Sequence, residues 1–562
     1  MRVTFRHTKI EKTSIFTRHL GGGMEILFGR FSGLFYSAIG ALIAASLAIH
    51  TPLFWGVSAV LLTLTIIGIR DYRQKQHPVL ANYPLFGHFR YIFESIRPEI
   101  RQYFFESDDD EHPYSREQRA MVYQRAKAQV AVRPFGSVAD MYKEDHEWLN
   151  HSMQPVDVEH YDFRTQVGEG EQAYAMSVLN ISGTSFGSLS PHAILALNSG
   201  ARLAGCAHNT GEGGLSPHHL AGGGNVIWQI ASGYFGCRTK QGRFDPEKFR
   251  EKSNADQVRM IEIKLSQGAK PGHGGILMGA KVTQEIADIR GVEVGKDCVS
   301  PSRHSEFSTP RGLLEFAQRL RTLSGGKPVG IKLCIGHPWE FIAIVRAMVD
   351  TGLHLDFVTV DGSEGGTGAA PAEFTDRVGS PLHDALIFVD NTLKGAGLRK
   401  RVKVGASGKI VSAYDVVRTC ALGADWCNMA RPFMFALGCI QARDCSSGRC
   451  PTGIATMDPN RYRVLDVALK MQRVANFHHN TLHAVAEMLG AAGLSHTNNL
   501  TRRHIVRRVS ASEIKLADQI YPKVPLNALI EGQAVEDIRL STYWNRVGAD
   551  SFQPIDPMPA TP

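Results

Sequence analysis

Ile261-Glu-Ile-Lys-Leu-Ser-Gln-Gly-Ala-Lys-Pro-Gly-His-Gly-Gly275 is an apolar stretch that runs directly into a polar, glycine-rich loop. The apolar part predicts a β-strand, and the glycines predict a loop whose backbone can approach a ligand closely. The same arrangement recurs along the chain at β-rich stretches separated by helical ones: Met176–Ile181, Met260–Leu265, Val329–Leu333, Phe357–Val360, Val402–Val404 and Trp426–Met429. Strands that alternate with helices indicate parallel βα units.

Two α/β architectures are built from such units. A doubly wound sheet binds its ligand at one switch point, whereas a (β/α)8 barrel collects the loops after all its strands around one active-site face. Every predicted strand here runs into a polar, glycine-rich loop, which favours the barrel. The sequence also lacks a G-x-G-x-x-G dinucleotide motif placed after a strand and followed by an acid about twenty residues later. We therefore predict an α/β fold of the (β/α)8 TIM-barrel type.

The loops after the strands carry candidate binding residues. The first, Ser182-Gly-Thr-Ser-Phe-Gly-Ser188, has small residues that would let its backbone lie against a flat cofactor. Lys332 lies within an apolar strand, and an inward lysine there needs an anionic partner, such as a reduced flavin. Lys270 is either a surface lysine or a cation that binds a carboxylate or phosphate. Glu212, in His208-Asn-Thr-Gly-Glu-Gly-Gly214, is either a solvated loop residue or a catalytic acid.

Two later loops are placed to bind phosphate. Gly405-Ala-Ser-Gly-Lys409 and Asn428-Met-Ala-Arg431 follow the last two predicted strands, where TIM barrels commonly hold a phosphate group. Backbone N–H groups beside a lysine or arginine would suit the phosphate of flavin mononucleotide, FMN.

Three of the nine cysteines in the chain, Cys439, Cys445 and Cys450, lie within twelve positions, followed by Pro451. The scarcity of cysteine elsewhere disfavours a disulfide scaffold. Zinc commonly takes four ligands from C-x2-C pairs, which are missing here. The spacing suits an iron–sulfur cluster, and three ordinary loop cysteines are the alternative.

The amino-terminal region predicts a membrane anchor. Phe31 to Ile49 and Leu53 to Ile69 are free of charged residues, and a short turn separates them. Each run is near the length of a membrane-spanning helix, and basic residues flank both outer ends, which places both ends in the cytoplasm. The alternatives are a signal peptide and a buried helical pair. The net charge of +8 is spread along the chain without a long basic tract, so nucleic acid is not expected as a partner.

From about Ala175 to about Leu489 the chain resembles the FMN-binding domain of glutamate synthases. Four blocks in the same order carry the resemblance: Asn209-Thr-Gly-Glu-Gly-Gly, Gln267-Gly-Ala-Lys-Pro-Gly, Glu364-Gly-Gly-Thr-Gly-Ala and Cys439-x5-Cys-x4-Cys-Pro-x-Gly. The resemblance implies a (β/α)8 barrel, FMN, and a [3Fe–4S] cluster on the three cysteines. It implies reduction of 2-iminoglutarate, formed from 2-oxoglutarate and ammonia, to L-glutamate.

The resemblance also assigns roles to individual positions. Glu212 would lie at the ammonia entry and, with Lys270, form the catalytic pair. The substrate-binding residues would be Gln267, Lys270, Arg290 and Ser308. The cofactor-binding residues would be Ser182, Gly183, Thr184, Ser185, Lys332, Glu364, Gly365, Gly366, Gly408, Lys409, Ala430 and Arg431.

The chain departs from the family pattern at several points. Ile276 stands where the family has glutamine, and His273 stands where it has an acid. These changes leave open another amino-acid or 2-oxo-acid substrate, and a third hypothesis is a non-catalytic electron-transfer subunit at the membrane. We expect electrons from ferredoxin or a separate reductase subunit, ammonia free or from a separate subunit, and contact with membrane lipid. The expected location is the cytoplasmic (inner) membrane, with the catalytic domain facing the cytoplasm.

The expected segments are an anchor at 1–71, a helical connector or cap at 72–167, the barrel at 168–490 with the cysteine loop at 438–453, and a C-terminal extension at 491–562.

Overall fold

The computed structural model describes residues 29–74, 77–106, 112–129 and 135–555. The chain divides into two compact units, Met1–Glu111 and His112–Pro562, so the predicted connector at 72–167 is shared between them. The basic residues before position 29, Lys75 and the acidic run at 108–111 lie outside the described residues.

The first unit begins with two apolar helices, Ser32–Ala48 and Leu53–Arg73, joined by a short turn. Hydrogen bonds link them, from Ser58 Oγ to the Ala41 carbonyl at 3.1 Å and from Thr65 Oγ1 to Ser37 Oγ at 3.2 Å. Within the described residues, the 21-residue helix Leu53–Arg73 is long and apolar enough to cross a membrane, and Ser32–Ala48 is apolar but shorter. The predicted helical pair is therefore present, and its place in a membrane stays a prediction.

After Arg73, the described residues of this unit are mostly helical. A short helix, Pro78–Asn82, precedes Gly87–Ile100, which continues as a π-helical turn over Arg101–Phe105.

The second unit contains a closed barrel of eight parallel strands, which confirms the predicted fold. Each strand pairs with the next in the sequence, and the eighth pairs with the first. The strands are Leu179–Ile181, Ala207–Asn209, Asn225–Ile230, Val258–Lys264, Val329–Leu333, Phe357–Asp361, Lys403–Ser407 and Trp426–Met429. The second and third strands were not among those predicted from the sequence, because one is three residues long and the other starts at an asparagine after three glycines.

The predicted strand Met176–Ile181 is two strands in the structure. Tyr174–Ser177 pairs antiparallel with Arg164–Val167, and only Leu179–Ile181 joins the barrel. Met176 and Tyr174 pack with barrel residues in a separate buried cluster that includes Met260, Phe357 and Trp426, near the amino-terminal ends of their strands. This end of the barrel is filled by apolar side chains, so the loops that carry chemistry lie at the other end.

Helices surround the barrel. The long helix Val467–Ala491 packs against Pro191–Ala204 and Arg116–Ala126. Gly200 allows this close approach, because a Cβ atom there would lie 2.5 Å from Val474. The other helices of six or more residues are Pro246–Ser253, Gln284–Arg290, Pro310–Leu323, Pro338–Thr351, Ala372–Arg377, Leu382–Gly395, Ala413–Leu422, Arg431–Leu437 and Ile538–Tyr543.

Besides the pair Arg164–Val167 and Tyr174–Ser177, two more small sheets lie outside the barrel in the described part of the chain. Ile276–Leu277 pairs with Cys298–Val299, and Glu147–Leu149 forms a three-stranded antiparallel sheet with Ile505–Arg508 and Ile514–Leu516.

Candidate active site

Two adjoining cavities open at the carboxyl ends of the barrel strands. The inner cavity, of about 190 Å³, lies among the loops after the first, sixth, seventh and eighth strands. Ten predicted cofactor residues line it: Ser182, Gly183, Thr184, Lys332, Gly365, Gly366, Gly408, Lys409, Ala430 and Arg431. The cationic cavity, of about 110 Å³, is lined by Glu212, Gln267, Lys270 and Arg290, and by Ser185 from the predicted cofactor set. Sequence positions far apart in the chain therefore meet around these two cavities.

Lys332 is common to both cavities and forms an ion pair with an aspartate. Its Nζ lies 3.3 Å from Asp361 Oδ2, which also accepts the backbone N–H of Gly268 at 2.9 Å. Ser407 Oγ donates to the other oxygen of Asp361. Burial lowers the pKa of Lys332, but the carboxylates of Asp361, Glu262 and Glu212 together outweigh burial, and the net pKa lies above its ordinary value. Lys332 is therefore a fixed positive charge at the boundary between the cavities.

The inner cavity presents polar atoms without partners and backbone that comes unusually close. Asn428, which lines it, has a buried Oδ1 with no hydrogen-bond partner among the described residues. Gly183 lies so close to the next loop that a Cβ atom would be 3.2 Å from Gly211 Cα. An unpaired buried acceptor in a glycine-walled cavity fits a planar ligand with its own N–H donors.

Lys270 is the most unusual group of the cationic cavity. The residue is only 2% exposed, and none of the described residues accepts a hydrogen bond from its Nζ or forms an ion pair with it. Burial lowers the pKa of Lys270, and the charge of Glu212 offsets this in part. A buried ammonium without a partner is costly, so the site fits an anionic ligand.

The structure adds Lys264, which the sequence analysis did not identify. Lys264 ends the fourth strand, and its Nζ lies 2.7 Å from Glu212 Oε2 and 2.8 Å from Gln267 Oε1. Burial raises the pKa of Glu212, but the charge and hydrogen bond of Lys264, together with the charges of Arg290 and Lys270, outweigh burial, and the net pKa lies below its ordinary value. Lys264 lies directly across the strand pair from Lys332, a relation that depends on strand register and is not visible in the sequence. Lys264 thus keeps Glu212 ionised.

Gly275 leaves the room that Glu212 occupies, since a Cβ atom there would lie 1.6 Å from Glu212 Oε1. We expect Gly275→Ala to displace the carboxylate from Lys264 and to lower the free energy of unfolding by about 1–3 kcal/mol, measured by urea denaturation. Gly336→Ala is the matched control, because a Cβ atom at Gly336 meets nothing within 4 Å. In Gly275→Ala/Glu212→Ala, the effect of the added methyl group should largely disappear. Fully additive effects would contradict the contact.

Arg290 completes the cationic side of the cavity. Its Nη2 donates to the Phe186 carbonyl at 2.9 Å, and its guanidinium lies 5.3 Å from the centre of the Phe235 ring. Its Nε is buried and has no partner among the described residues. Ser308 is exposed before helix Pro310–Leu323 and lines neither cavity, so the structure does not bring it to the other predicted substrate residues.

The cysteine loop borders an outer cavity of about 1250 Å³, and Cys439, Cys445 and Cys450 all line it. Each sulfur faces a donor. Cys439 accepts the Gln441 N–H at 3.5 Å, Cys445 faces Arg431 Nη1 at 3.7 Å, and Cys450 lies 3.4 Å from Thr452 Oγ1. Donors around three thiolates fit an iron–sulfur ligand set. Within the described ranges, no three or more His, Cys, Asp or Glu side chains are arranged to hold a single metal ion.

Lys281 is buried, lines the inner cavity and contacts the cysteine loop. Its Nζ donates to the carbonyls of Ser188, Cys445 and Ala455 at 3.0, 3.3 and 3.2 Å. One ammonium thus ties the loop after the first strand to both arms of the cysteine loop. Sequence reasoning missed it, because nothing in the spacing sets it apart from a surface lysine.

Three further residues discussed in the sequence analysis can be placed relative to the cavities. Glu364 borders the outer cavity and accepts the Leu382 N–H at 3.0 Å, so its carboxylate holds the loop rather than lining the inner cavity. Ile276 lines all three cavities, whereas His273 is exposed beside the ring of Phe374. Of the two departures from the family pattern, Ile276 is the one that lines these three cavities.

The family model that describes a conserved region in glutamate synthase matches residues 120–495. The glutamate synthase large subunit-like protein YerD of Bacillus subtilis is 39% identical over 496 residues, which cover 81% of this chain and 94% of YerD. The archaeal glutamate synthase [NADPH] of Methanocaldococcus jannaschii is 37% identical over 60% of this chain and 63% of its own length. The archaeal-type enzyme of Thermotoga neapolitana is 36% identical over 59% of this chain and 62% of its own length.

Among solved structures, a mandelate oxidase mutant with an FMN adduct has a TM-score of 0.39 and 16% identity, and covers 71% of this chain and 91% of its own. A flavocytochrome b2 mutant with bound pyruvate has a TM-score of 0.40 and 12% identity, and covers 79% and 90%.

Proposed function

Because the chain belongs to the glutamate synthase family of oxidoreductases, we propose that it uses FMN and a [3Fe–4S] cluster to convert 2-oxoglutarate and ammonia, through 2-iminoglutarate, to L-glutamate. The observation that carries this proposal is the cationic cavity. Lys264, Lys270, Arg290 and Lys332 line it together with a single acid, Glu212. Lys264 pairs with Glu212 and Lys332 pairs with Asp361, so Lys270 and Arg290 remain as the two cations without a carboxylate partner among the described residues. Two such cations suit a substrate with two carboxylates.

FMN would occupy the inner cavity. The loop 182–184 would lie against the ring, with Lys332 near its negative edge and the Asn428 Oδ1 available to a ring N–H. Gly408, Lys409 and Ala430 would contact the phosphate with backbone N–H groups. Arg431 also belongs to this group, although its guanidinium lies beside Cys445 and forms a bridge between the two proposed cofactor sites.

Bound FMN would supply a hydride to the substrate, and the cluster on Cys439, Cys445 and Cys450 would relay single electrons. The protein's own groups would then position the substrate. Lys270 and Arg290 would bind its carboxylates and orient its reacting carbon toward the inner cavity. Glu212, kept ionised by Lys264, would accept hydrogen bonds from the incoming nitrogen at the ammonia entry.

Ile276 supports a second candidate function. Its apolar side chain lies on the wall between the cavities, where the family pattern has a glutamine amide. An amide there would hydrogen-bond a polar substrate, and isoleucine offers only apolar contact. The alternative is therefore a flavin and iron–sulfur oxidoreductase for a less polar amino acid or 2-oxo acid. A non-catalytic electron-transfer subunit is the third hypothesis.

One experiment separates these three hypotheses. Photoreduced protein is mixed anaerobically with 2-oxoglutarate plus ammonia, with each alone, and with apolar 2-oxo acids plus ammonia, while flavin absorbance is followed. Fast reoxidation only with 2-oxoglutarate plus ammonia supports glutamate formation. A preference for an apolar 2-oxo acid supports the second function, and no substrate-dependent reoxidation supports the third.

We also propose that the hairpin Ser32–Arg73 anchors the protein in the cytoplasmic membrane, with the barrel in the cytoplasm. Exposed apolar side chains such as Leu42, Leu53 and Val60 on helices joined by small-residue contacts support this placement. The electron donor would be ferredoxin or a separate reductase subunit, and ammonia would be free or come from a separate subunit.

We expect the full-length protein to stay with membranes through a sodium carbonate wash, since removing two apolar helices from lipid is unfavourable. Deletion of the whole first unit, Met1 to Glu111, should give protein that stays in solution without detergent and keeps its flavin. Release of the full-length protein by carbonate, measured by immunoblotting of pellet and supernatant, would contradict the anchor.

A further inference from the structure

The helix Gly87–Ile100 and its π-helical continuation Arg101–Phe105 expose a continuous apolar face. Phe93 and Phe104 are 61% and 79% exposed, far more than large aromatic side chains usually are. On a helix, the apolar residues share an arc of roughly 120°. This arc is formed by Phe89, Ile92, Phe93, Ile96, Ile100, Tyr103 and Phe104.

The other side of the same helix is charged. Arg90 and Glu94 form an ion pair at 3.0 Å, and Arg97 and Arg101 lie nearby on the helical wheel. The segment Gly87–Glu106 contains three arginines and three glutamates, so its charges balance. A strongly amphipathic helix without excess charge would bind a surface through its apolar face rather than by net charge.

The start of this helix is fixed to the end of the apolar hairpin. Asp71, buried in the last turn of Leu53–Arg73, accepts the Leu85 N–H at 3.1 Å and lies 2.8 Å from His88 Nε2. Phe86 packs against the beginning of the other apolar helix, where a Cβ atom on Gly33 would lie 2.9 Å from its ring. The amphipathic helix therefore begins beside Arg70 and Arg73, at the basic end of the hairpin.

We propose that Gly87–Phe105 lies flat in the interface of a lipid bilayer, with its aromatic face inserted at the boundary between headgroups and acyl chains. The inference rests on the proposed membrane anchor and extends it to a second contact with lipid. Continuity with the hairpin identifies lipid as the occupant: basic residues at helix ends mark headgroup depth, and aromatic rings favour that depth. The arginines on the opposite face would point toward the headgroups and water.

Photo-crosslinking of the full-length protein in phosphatidylcholine vesicles tests this placement. The substitutions are Phe93→p-benzoylphenylalanine on the apolar face, Glu94→p-benzoylphenylalanine on the charged face, and Leu62→p-benzoylphenylalanine on the hairpin, where the side chain is exposed. Mass spectrometry after irradiation identifies what each position contacts. We expect lipid adducts at positions 62 and 93, with at least a tenfold lower yield at position 94.

The result at position 62, on the hairpin, distinguishes an error in the interfacial helix from an error in the membrane anchor. Lipid adducts at position 62 without any at position 93 would overturn the interfacial helix and leave the anchor in place. Adducts between position 93 and the barrel, or between position 93 and a second copy, would show that protein covers this face and would also overturn the inference. The absence of lipid adducts at both position 62 and position 93 would overturn the anchor and, with it, the interfacial helix.

Discussion

Lys270→Met is expected to stabilise the ligand-free protein and to weaken its use of the keto acid ten- to a hundredfold. The two effects have one cause. Lys270 is a buried residue whose ammonium lines the cationic cavity without a partner among the described residues, and methionine fills a similar volume without a charge. Replacing buried charge with a well-packed apolar side chain often raises stability, here by about 1 kcal/mol or more. The same change removes a charge-assisted carboxylate contact worth about 1.5–3 kcal/mol, which corresponds to roughly ten- to a hundredfold.

Two measurements check this prediction. The unfolding midpoint of the ligand-free variant should rise, whereas 2-oxoglutarate should raise the midpoint of the wild type and not that of the variant. The rate of flavin reoxidation by 2-oxoglutarate plus ammonia should fall, with flavin content unchanged, because Lys270 does not line the inner cavity. Lys270→Arg should retain part of the activity but not all, because its planar guanidinium has a different shape.

Lys264→Met is the matched control. Lys264 is also a lysine of the same cavity with a largely covered side chain, but it pairs with Glu212 at 2.7 Å. Removing it takes away the nearest cation of the Glu212 carboxylate, so the variant should lose stability rather than gain it. Equal shifts of the unfolding midpoint in the two methionine variants would contradict the conclusion that Lys264 is paired and that Lys270 has no partner among the described residues. An unchanged reoxidation rate in Lys270→Met would contradict the role of Lys270 in carboxylate binding and would favour the less polar substrate that Ile276 suggests.

The contrast between these two lysines shows what the sequence could not determine. Lys270 lies in a glycine-rich loop that marks a ligand site, so it could be identified as a candidate from its surroundings. Lys264 lies within a strand, where its neighbours in the sequence are apolar, and its partners Glu212 and Lys332 come from other strands and loops. To identify such a residue, one must know the register of the neighbouring strands, which a single sequence does not provide.

The fold was predictable where strands were long and apolar. The fifth, sixth and eighth strands match their predicted bounds to within a residue. Ala207–Asn209 was not predicted, because three residues give no periodicity. The split of Met176–Ile181 was also unpredictable from pattern alone, since both halves are buried, one under the barrel and one in its wall.

Cys445→Ser is expected to remove the iron–sulfur cluster and to leave the flavin in place. If three thiolates hold the cluster, losing one leaves too few ligands, and iron should fall from about three atoms per chain toward zero. FMN should remain, because the residues predicted to bind it lie on other loops and serine keeps the backbone carbonyl that accepts from Lys281. Iron, sulfide and flavin are measured in anaerobically purified protein.

The matched control is Cys334→Ser, a buried cysteine at the end of the fifth strand whose Sγ faces the carbonyls of Ile335 and Ser380. The Cys334→Ser variant should keep all its iron. Loss of iron would then be specific to a cysteine of the cysteine loop and would not result from removing any thiol. In Cys445→Ser, photoreduced flavin should still react with 2-oxoglutarate and ammonia, whereas turnover with an external one-electron donor should stop. Zinc in place of iron in the wild type, or full iron in Cys445→Ser, would contradict the cluster.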